Sequence, residues 1–298
     1  MGPAEVRYRF RHLPSAFRYF PRAVLGRRHA LVPEGGIVPR LEGGVERVRA
    51  RRRHLARYRA VCGFGDDGCL PVTYPHVLAM PLQFAILTHP RFVVRLMGLI
   101  HVANEIRQSR PLPAGHGYSL QSWIEGHRDT DRGHEFDLFT SLSDEAGTAW
   151  LEKSTLLARR PAGARQAARG ARQALRYEKP GPGVSADLAD IDVPRAVGRH
   201  YGWMSGDLNP IHLADRGAQL FGFERAVAHG MWSMARTLAA LGPAALAPPV
   251  DVRVEFKFPL FMPARAQLEH WPQGNRRVFV LKDGESGRPH LAGSAQRA

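Results

Sequence analysis

Val227-Ala228-His229-Gly230-Met231-Trp232-Ser233-Met234-Ala235-Arg236-Thr237-Leu238-Ala239-Ala240-Leu241-Gly242-Pro243 contains an apolar run of helical length, 231–241, closed by a glycine–proline pair. Proline cannot continue a helix, so the element ends there. Strand-like segments follow at 250–258, 264–271, 277–281 and 289–294. The same order stands earlier in the chain. Thr73-Tyr74-Pro75-His76 leads into the apolar run 77–87, where Pro81 is tolerable only near a first turn. Segments 98–107, 118–126, 135–143 and 148–157 then read as strands, the last three by polar–apolar alternation around residues such as Phe136, Leu138 and Phe139. With His76 set against His229, the next strand begins about 22 residues later in both halves. One helix and four antiparallel strands, twice over, predict an α+β architecture made by duplication. Each sheet wraps its helix, and the two sheets pair edge to edge.

The flanks divide the chain further. Residues 1–45 are basic, with Phe10, Phe17, Tyr19 and Phe20 interspersed, and read as an arm that packs on the remainder. The stretch 46–60 carries seven arginines, which suits an edge strand or short helix with a solvated face. Residues 159–183, rich in Arg, Ala, Gly and Pro, read as an interdomain linker. The expected units are therefore the arm 1–45, a first domain 46–158, the linker, and a second domain 184–298.

Composition bounds the function. The 298 residues are 44% hydrophobic and 23% charged, which excludes disorder along the whole chain. No apolar run approaches the ~18 residues that span a bilayer; the best, 92–103, is broken by Arg95 and His101. The N-terminal residues lack a secretory or myristoylation pattern, so the expected location is cytoplasmic. Cys62 and Cys69 are too few for a disulfide framework or a thiolate zinc site. The net charge is +15, yet 38 of the 42 basic residues are arginine, a bias that a GC-rich genome produces without selection for nucleic acid. A nucleic-acid partner is therefore not expected, although a cationic surface attracts anionic ligands.

One loop concentrates chemistry: Tyr201-Gly202-Trp203-Met204-Ser205-Gly206-Asp207-Leu208-Asn209-Pro210-Ile211-His212. Its glycine and proline breaks hold a special conformation. Asp207 and His212 can converge on one water, with Asn209 orienting either, an arrangement suited to general acid–base catalysis. The bland reading is an Asx-turn in which Asp207 ties backbone N–H groups together. A metal site from Asp207, Asn209 and His212 is thin, because a single histidine has no partner at helical spacing. Gly230, at the start of the second apolar helix, offers an unsatisfied N–H at the positive end of the helix dipole for a developing oxyanion. His76, His89, His101, His116, His127 and His134 form no ligand pattern and read as ordinary polar residues.

The run 201–212, followed by Ala218, Gly222-Phe223 and Ala228-His229-Gly230-Met231, closely resembles the hydratase-2 motif of the MaoC-like dehydratases. The first half, with Thr73-Tyr74-Pro75-His76-Val77-Leu78-Ala79 and Gly98-Leu99-Ile100-His101, resembles the degenerate half of double-hotdog members, including mycobacterial 3-hydroxyacyl-thioester dehydratases. The likeness spans about 60–298 and leaves out the basic arm. It implies a double hotdog: two tandem hotdog domains, each a helix wrapped by an antiparallel sheet. It also implies reversible hydration of trans-2-enoyl thioesters to (R)-3-hydroxyacyl thioesters, with no metal or redox cofactor. By the resemblance, Asp207 and His212 hold the water, Asn209 positions it, and the Gly230 N–H binds the thioester carbonyl. Tyr201, Ser205, Gly206, Pro210, His229 and Met231 are expected to contact the substrate. Segment 63–74 offers Asp66 and Asp67 but no equivalent loop, so one active site per chain is expected, with the first half free to house the acyl chain.

The carrier can be coenzyme A or acyl carrier protein, and the double hotdog can act as a monomer or a homodimer. The rival readings are a non-catalytic acyl-thioester binding protein and a hotdog thioesterase.

Overall fold

The computed structural model describes residues 5–26, 28–161 and 163–297. In chain order the first half comprises β1 (Val6–Phe10), α1 (Phe20–Leu25), β2 (Leu41–Val48), α2 (Arg52–Cys62), α3 (Tyr74–Leu87), β3 (Leu99–Gln108), β4 (Tyr118–Ile124), β5 (Arg128–Thr130), β6 (Gly133–Asp144) and β7 (Gly147–Arg159). The second comprises α4 (Ala164–Ala174), β8 (Asp187–Val193), α5 (Val197–Ser205), α6 (Pro210–Leu213), α7 (Asp215–Gln219), α8 (Gly230–Leu241), β9 (Val250–Phe256), β10 (Ala264–Gln273), β11 (Arg276–Asp283) and β12 (Pro289–Arg297).

The strands form one sheet in the order β1-β2-β4-β6-β7-β3-β9-β12-β11-β10-β8, with β5 added on β6. The halves join where β3 pairs antiparallel with β9, from Ala103 opposite Glu255 to Gln108 opposite Val250. This is the edge-to-edge pairing that the repeated pattern predicts. Alternation is visible in burial: in β4, Tyr118, Leu120, Ser122 and Ile124 face inward while their neighbours are less enclosed. Period-2 burial follows from the pleat.

Each half keeps its helix in the fold of its sheet. α3 is buried at every residue except Pro81 and packs on β2, β4 and β6. Pro81 lies well inside the helix rather than in its first turn, because the helix begins at Tyr74 and takes Pro75 there instead. An interior proline costs about 3 kcal/mol of helix stability; burial of the flanking Leu78, Ala79 and Leu82 offsets it, since packing outweighs intrinsic propensity. α8 shares the main core with β9, β11 and β12 through Met231, Met234, Leu238, Val252, Leu281 and Leu291.

The boundaries differ from those expected. β2 runs across the 45/46 division, and β1 pairs parallel with it, so the basic segment contributes to the first sheet. A short 3-10 turn, Ala16–Tyr19, sets Ala16 and Tyr19 against Met80, Phe84 and Ala85 of α3. The linker 159–183 starts at the last residue of β7 and contains α4. Low complexity concealed this helix, although alanine, arginine and glutamine are good helix formers. The stretch 46–60 holds both options at once, the end of β2 and most of α2. Trp232 of α8 donates its indole N–H to the Val61 carbonyl of α2 at 2.9 Å, tying the second helix to the first half.

Candidate active site

The loop after α5 is built by small residues. Gly206 caps α5 at φ 85°, in the left-handed region, and lets the chain reverse direction at once. On α5, a Cβ at Gly198 would lie 2.0 Å from the His212 carbonyl oxygen, and one at Gly202 would lie 2.9 Å from the Asp207 carbonyl oxygen. Both glycines allow the loop to fold back onto the helix. Within it, the Asp207 N–H donates to Ser205 Oγ at 3.2 Å, and the Asn209 N–H donates to Asp207 Oδ1 at 3.2 Å. Asn209 Oδ1 in turn accepts from the Ile211 N–H at 3.4 Å and caps α6. The Asx-turn reading and the acid–base reading thus describe one object: one oxygen of Asp207 shapes the loop, and Oδ2 is left over.

Two imidazoles stand over this carboxylate. His212 Nδ1 donates to the Val227 carbonyl at 2.6 Å, which leaves Nε2 as the lone-pair nitrogen. His229 Nε2 donates to the Asp207 backbone carbonyl at 3.0 Å and lies 3.9 Å from Asp207 Oδ2. The rings stack with centroids 3.8 Å apart and planes 27° apart. Burial lowers the pKa of His212, opposed by the charge of Asp207. Burial, and then the neighbouring His212, push His229 down to about 3. Both rings are neutral at pH 7, the state in which His212 can accept a proton.

The structure supplies the histidine that the sequence reading lacked for a metal site: one ligand atom each from Asp207, His212 and His229 lie within 4.8 Å of one another. One nitrogen of each ring is nevertheless engaged by a backbone carbonyl, His212 Nδ1 by Val227 and His229 Nε2 by Asp207, and Asp207 Oδ1 is held by the Asn209 N–H. The arrangement suits a bound water better than a tetrahedral ion.

Gly230 opens α8 directly beyond His229. The first N–H groups of a helix have no intrahelical acceptor and carry the positive end of its dipole. A Cβ at Gly230 would lie 3.2 Å from the Phe256 ring, so glycine keeps this approach open. Tyr201, Ser205, Asp207, Asn209, His212, His229, Gly230 and Met231 line one cavity of about 1090 Å³. Gly206 and Pro210, expected to contact substrate, do not line it; they fix the backbone on either side of Asp207.

The cavity also takes in residues that sequence reasoning passed over. Met80, Gln83, Phe84 and Leu87 of α3 line it, together with His76 and His101. These two are more than ordinary polar residues. Neighbouring positions of α3 point elsewhere: Ala79 is in the main core and Ala85 packs on the turn at Ala16–Tyr19. His54 was also missed. Its ring bridges Tyr74 Oη and the Met204 carbonyl, each at 2.8 Å, and so steadies the end of α5 from α2. In segment 63–74, Asp66 and Asp67 are exposed and pair with Arg59 rather than forming a second site.

A site of this kind, a carboxylate and imidazole under a helix N-terminus between two helix-in-sheet halves, marks the class. Residues 180–293 match the family described as MaoC like domain. A 3-hydroxyacyl-thioester dehydratase X of Mycobacterium tuberculosis is 30% identical over 283 residues, covering 95% of this chain and 98% of that protein. The chain belongs to the MaoC-like dehydratase family, and its fold is the double hotdog. The crystal structure of HtdX of Mycobacterium tuberculosis superposes with a TM-score of 0.73 at 29% identity, covering 86% of this chain and 100% of that one. A MaoC-like dehydratase from Phytophthora capsici has a TM-score of 0.70 at 19% identity, over 90% and 98% of the two chains, a likeness of fold.

Proposed function

We propose that this protein is a hydro-lyase that reversibly hydrates trans-2-enoyl thioesters to (R)-3-hydroxyacyl thioesters. The observation that carries the reading is the convergence of Asp207, a neutral His212 and the Gly230 N–H on one cavity. Water sits between His212 Nε2 and the Asp207 carboxylate. The pair takes a proton from that water as its oxygen adds to C3, and returns a proton to C2 on the same face, so H and OH add across the double bond. Negative charge builds on the thioester oxygen meanwhile. The Gly230 N–H receives it, and a donor of this kind contributes on the order of 3 kcal/mol to the barrier. Asn209 holds the loop that aims Asp207. Tyr201, whose ring centroid is 5.0 Å from that of His229, backs that imidazole, while Ser205 and Met231 wall the site.

These groups perform the reaction by proton transfer and need neither a metal nor a redox cofactor. The carrier is anionic, coenzyme A or acyl carrier protein; Arg159, Arg160, Arg169, Arg172 and Arg176 around the cavity support this. We infer a cytoplasmic setting, which the free thiols of Cys62 and Cys69 support. Among the described residues no helix is long and apolar enough to cross a membrane. The protein works as a single double hotdog or a pair of them. The test is loss of enoyl absorbance with enoyl-CoA substrates of graded length. Turnover supports the reading; tight binding without turnover identifies a binding protein instead.

A further inference from the structure

The wall of the cavity furthest from expectation is polar. Glu152 on β7 has no exposure, and its carboxylate oxygens lie 2.9 Å from His76 Nδ1. One of them also accepts from Asn104 Nδ2 at 2.8 Å. His76, which lines the cavity, is thereby fixed in orientation. His101 stacks near it, with centroids 6.3 Å apart, and rests on Phe256 at 4.9 Å. Its Nε2 is enclosed and has no hydrogen-bond partner among the described residues. Burial and the neighbouring His76 push His101 down to about 4, so its ring is neutral. Further along, Gln83 donates to Thr140 Oγ1 at 3.2 Å and lines the cavity beside Ser154.

On α3 the cavity face carries His76, Met80, Gln83, Phe84 and Leu87, a helical stripe in which two polar side chains stand among three apolar ones. A tunnel for a plain alkyl chain has no use for this pattern. Covering an unpaired buried donor or acceptor with methylenes costs about 1–3 kcal/mol per group. A buried carboxylate such as Glu152 is costly as well, and its role as a stabiliser of the fold is weak. A ligand oxygen against His76, Gln83 or His101, which line the cavity, offsets the first cost; Glu152 lies behind that wall and keeps His76 and Asn104 as its partners.

Resting on the enoyl-thioester reading, we propose that the acyl chains this enzyme takes carry a second oxygen function, a hydroxyl or oxo group beyond the reacting carbons. His101 and Gln83, with His76 oriented by Glu152, are its specificity-determining residues. The first half of the chain has lost the water-activating loop and holds a polar subsite for the acyl chain in its place.

The experiment compares kcat/KM for trans-2-octenoyl-CoA with its 5-hydroxy, 7-hydroxy and 8-hydroxy analogues, in the wild type and in His101→Leu and Gln83→Leu. Two variants are used so that a failure of one to fold leaves the other, and thermal melts establish which are intact. The expected result is a wild-type preference of roughly tenfold for at least one hydroxylated analogue, equivalent to ~1.4 kcal/mol. That ratio falls toward one in each folded variant. Loss of turnover on all substrates in parallel would mean a structural role and would overturn the proposal. So would a wild type that hydrates the plain chain as well as, or better than, every analogue. In those cases hydration of octenoyl-CoA still stands and the enzyme reading survives. If neither plain nor hydroxylated thioesters are hydrated, the enzyme reading fails and the proposal falls with it.

Discussion

Asp207 and His212 are linked through the backbone as much as through space. Oδ1 of Asp207 is spent on the Asn209 N–H, and Nδ1 of His212 on the Val227 carbonyl, so each presents one remaining atom to the water. Asp207→Asn keeps the turn geometry and removes the charge. It is expected to fold normally and lose about 10² or more in kcat, the order usual for a general acid–base group. His212→Ala should lose a similar amount. The double variant should be little worse than either single, because both act on one water; steady-state hydration kinetics check all three. Because burial lowers the His212 pKa, the acid limb of the rate profile should have its midpoint below the ordinary histidine value of about 6.5. A limb at or above that value would contradict the neutral-imidazole assignment. EDTA should leave the rate unchanged. Stability follows the same sign. His101 and His229 have folded pKa values of about 4 and about 3. As pH falls below about 6.5 the unfolded state takes up protons first. The Tm should hold above that pH and decline progressively toward pH 4, measured in buffers of matched ionic strength.

At the scale of elements, α5 is the platform and its glycines set the loop. Gly198→Ala would place Cβ 2.0 Å from the His212 carbonyl oxygen and 2.6 Å from Met262 Cε. The backbone contact cannot yield by a rotamer change. The variant is expected to lose about 1–3 kcal/mol of stability and at least tenfold in kcat, read by thermal melt and rate together. α3 gives a contrast within one helix. Met80→Trp should reduce kcat/KM for long enoyl chains more than for C4, because Met80 lines the cavity. Ala79→Trp should only destabilise, because Ala79 lies in the main core. What the sequence made legible tracks how local each signal is. The stretches 201–212 and 228–231 declare themselves because their chemistry lies within a few residues, although the first, read as a loop, is the end of α5, a short loop and α6. The helix-and-strand order was legible because burial imposes period 2 on strands. Pro81 misled, since propensity argued for a late helix start while tertiary packing carried the proline in the interior. His54, His76 and His101 were illegible for a different reason. They reach the site from α2, α3 and β3 through packing between distant segments, which no spacing along the chain reveals.

In the whole molecule, the pairing of β3 with β9 makes one continuous sheet of two halves and brings α3 to the cavity that the second-half loop serves. Duplication thus divides the labour: one half keeps Asp207, His212 and Gly230, and the other contributes α3 and β3 residues to the wall of the shared chamber of about 1090 Å³. The central claim is that water adds to C3 on one defined face under Asp207 and His212. It is tested most directly by incubating the purified protein with trans-2-butenoyl-CoA and resolving the product on a chiral column while titrating free thiol. The account requires (R)-3-hydroxybutyryl-CoA with no thiol released. The (S) product, or thiol released with the double bond intact, would contradict it.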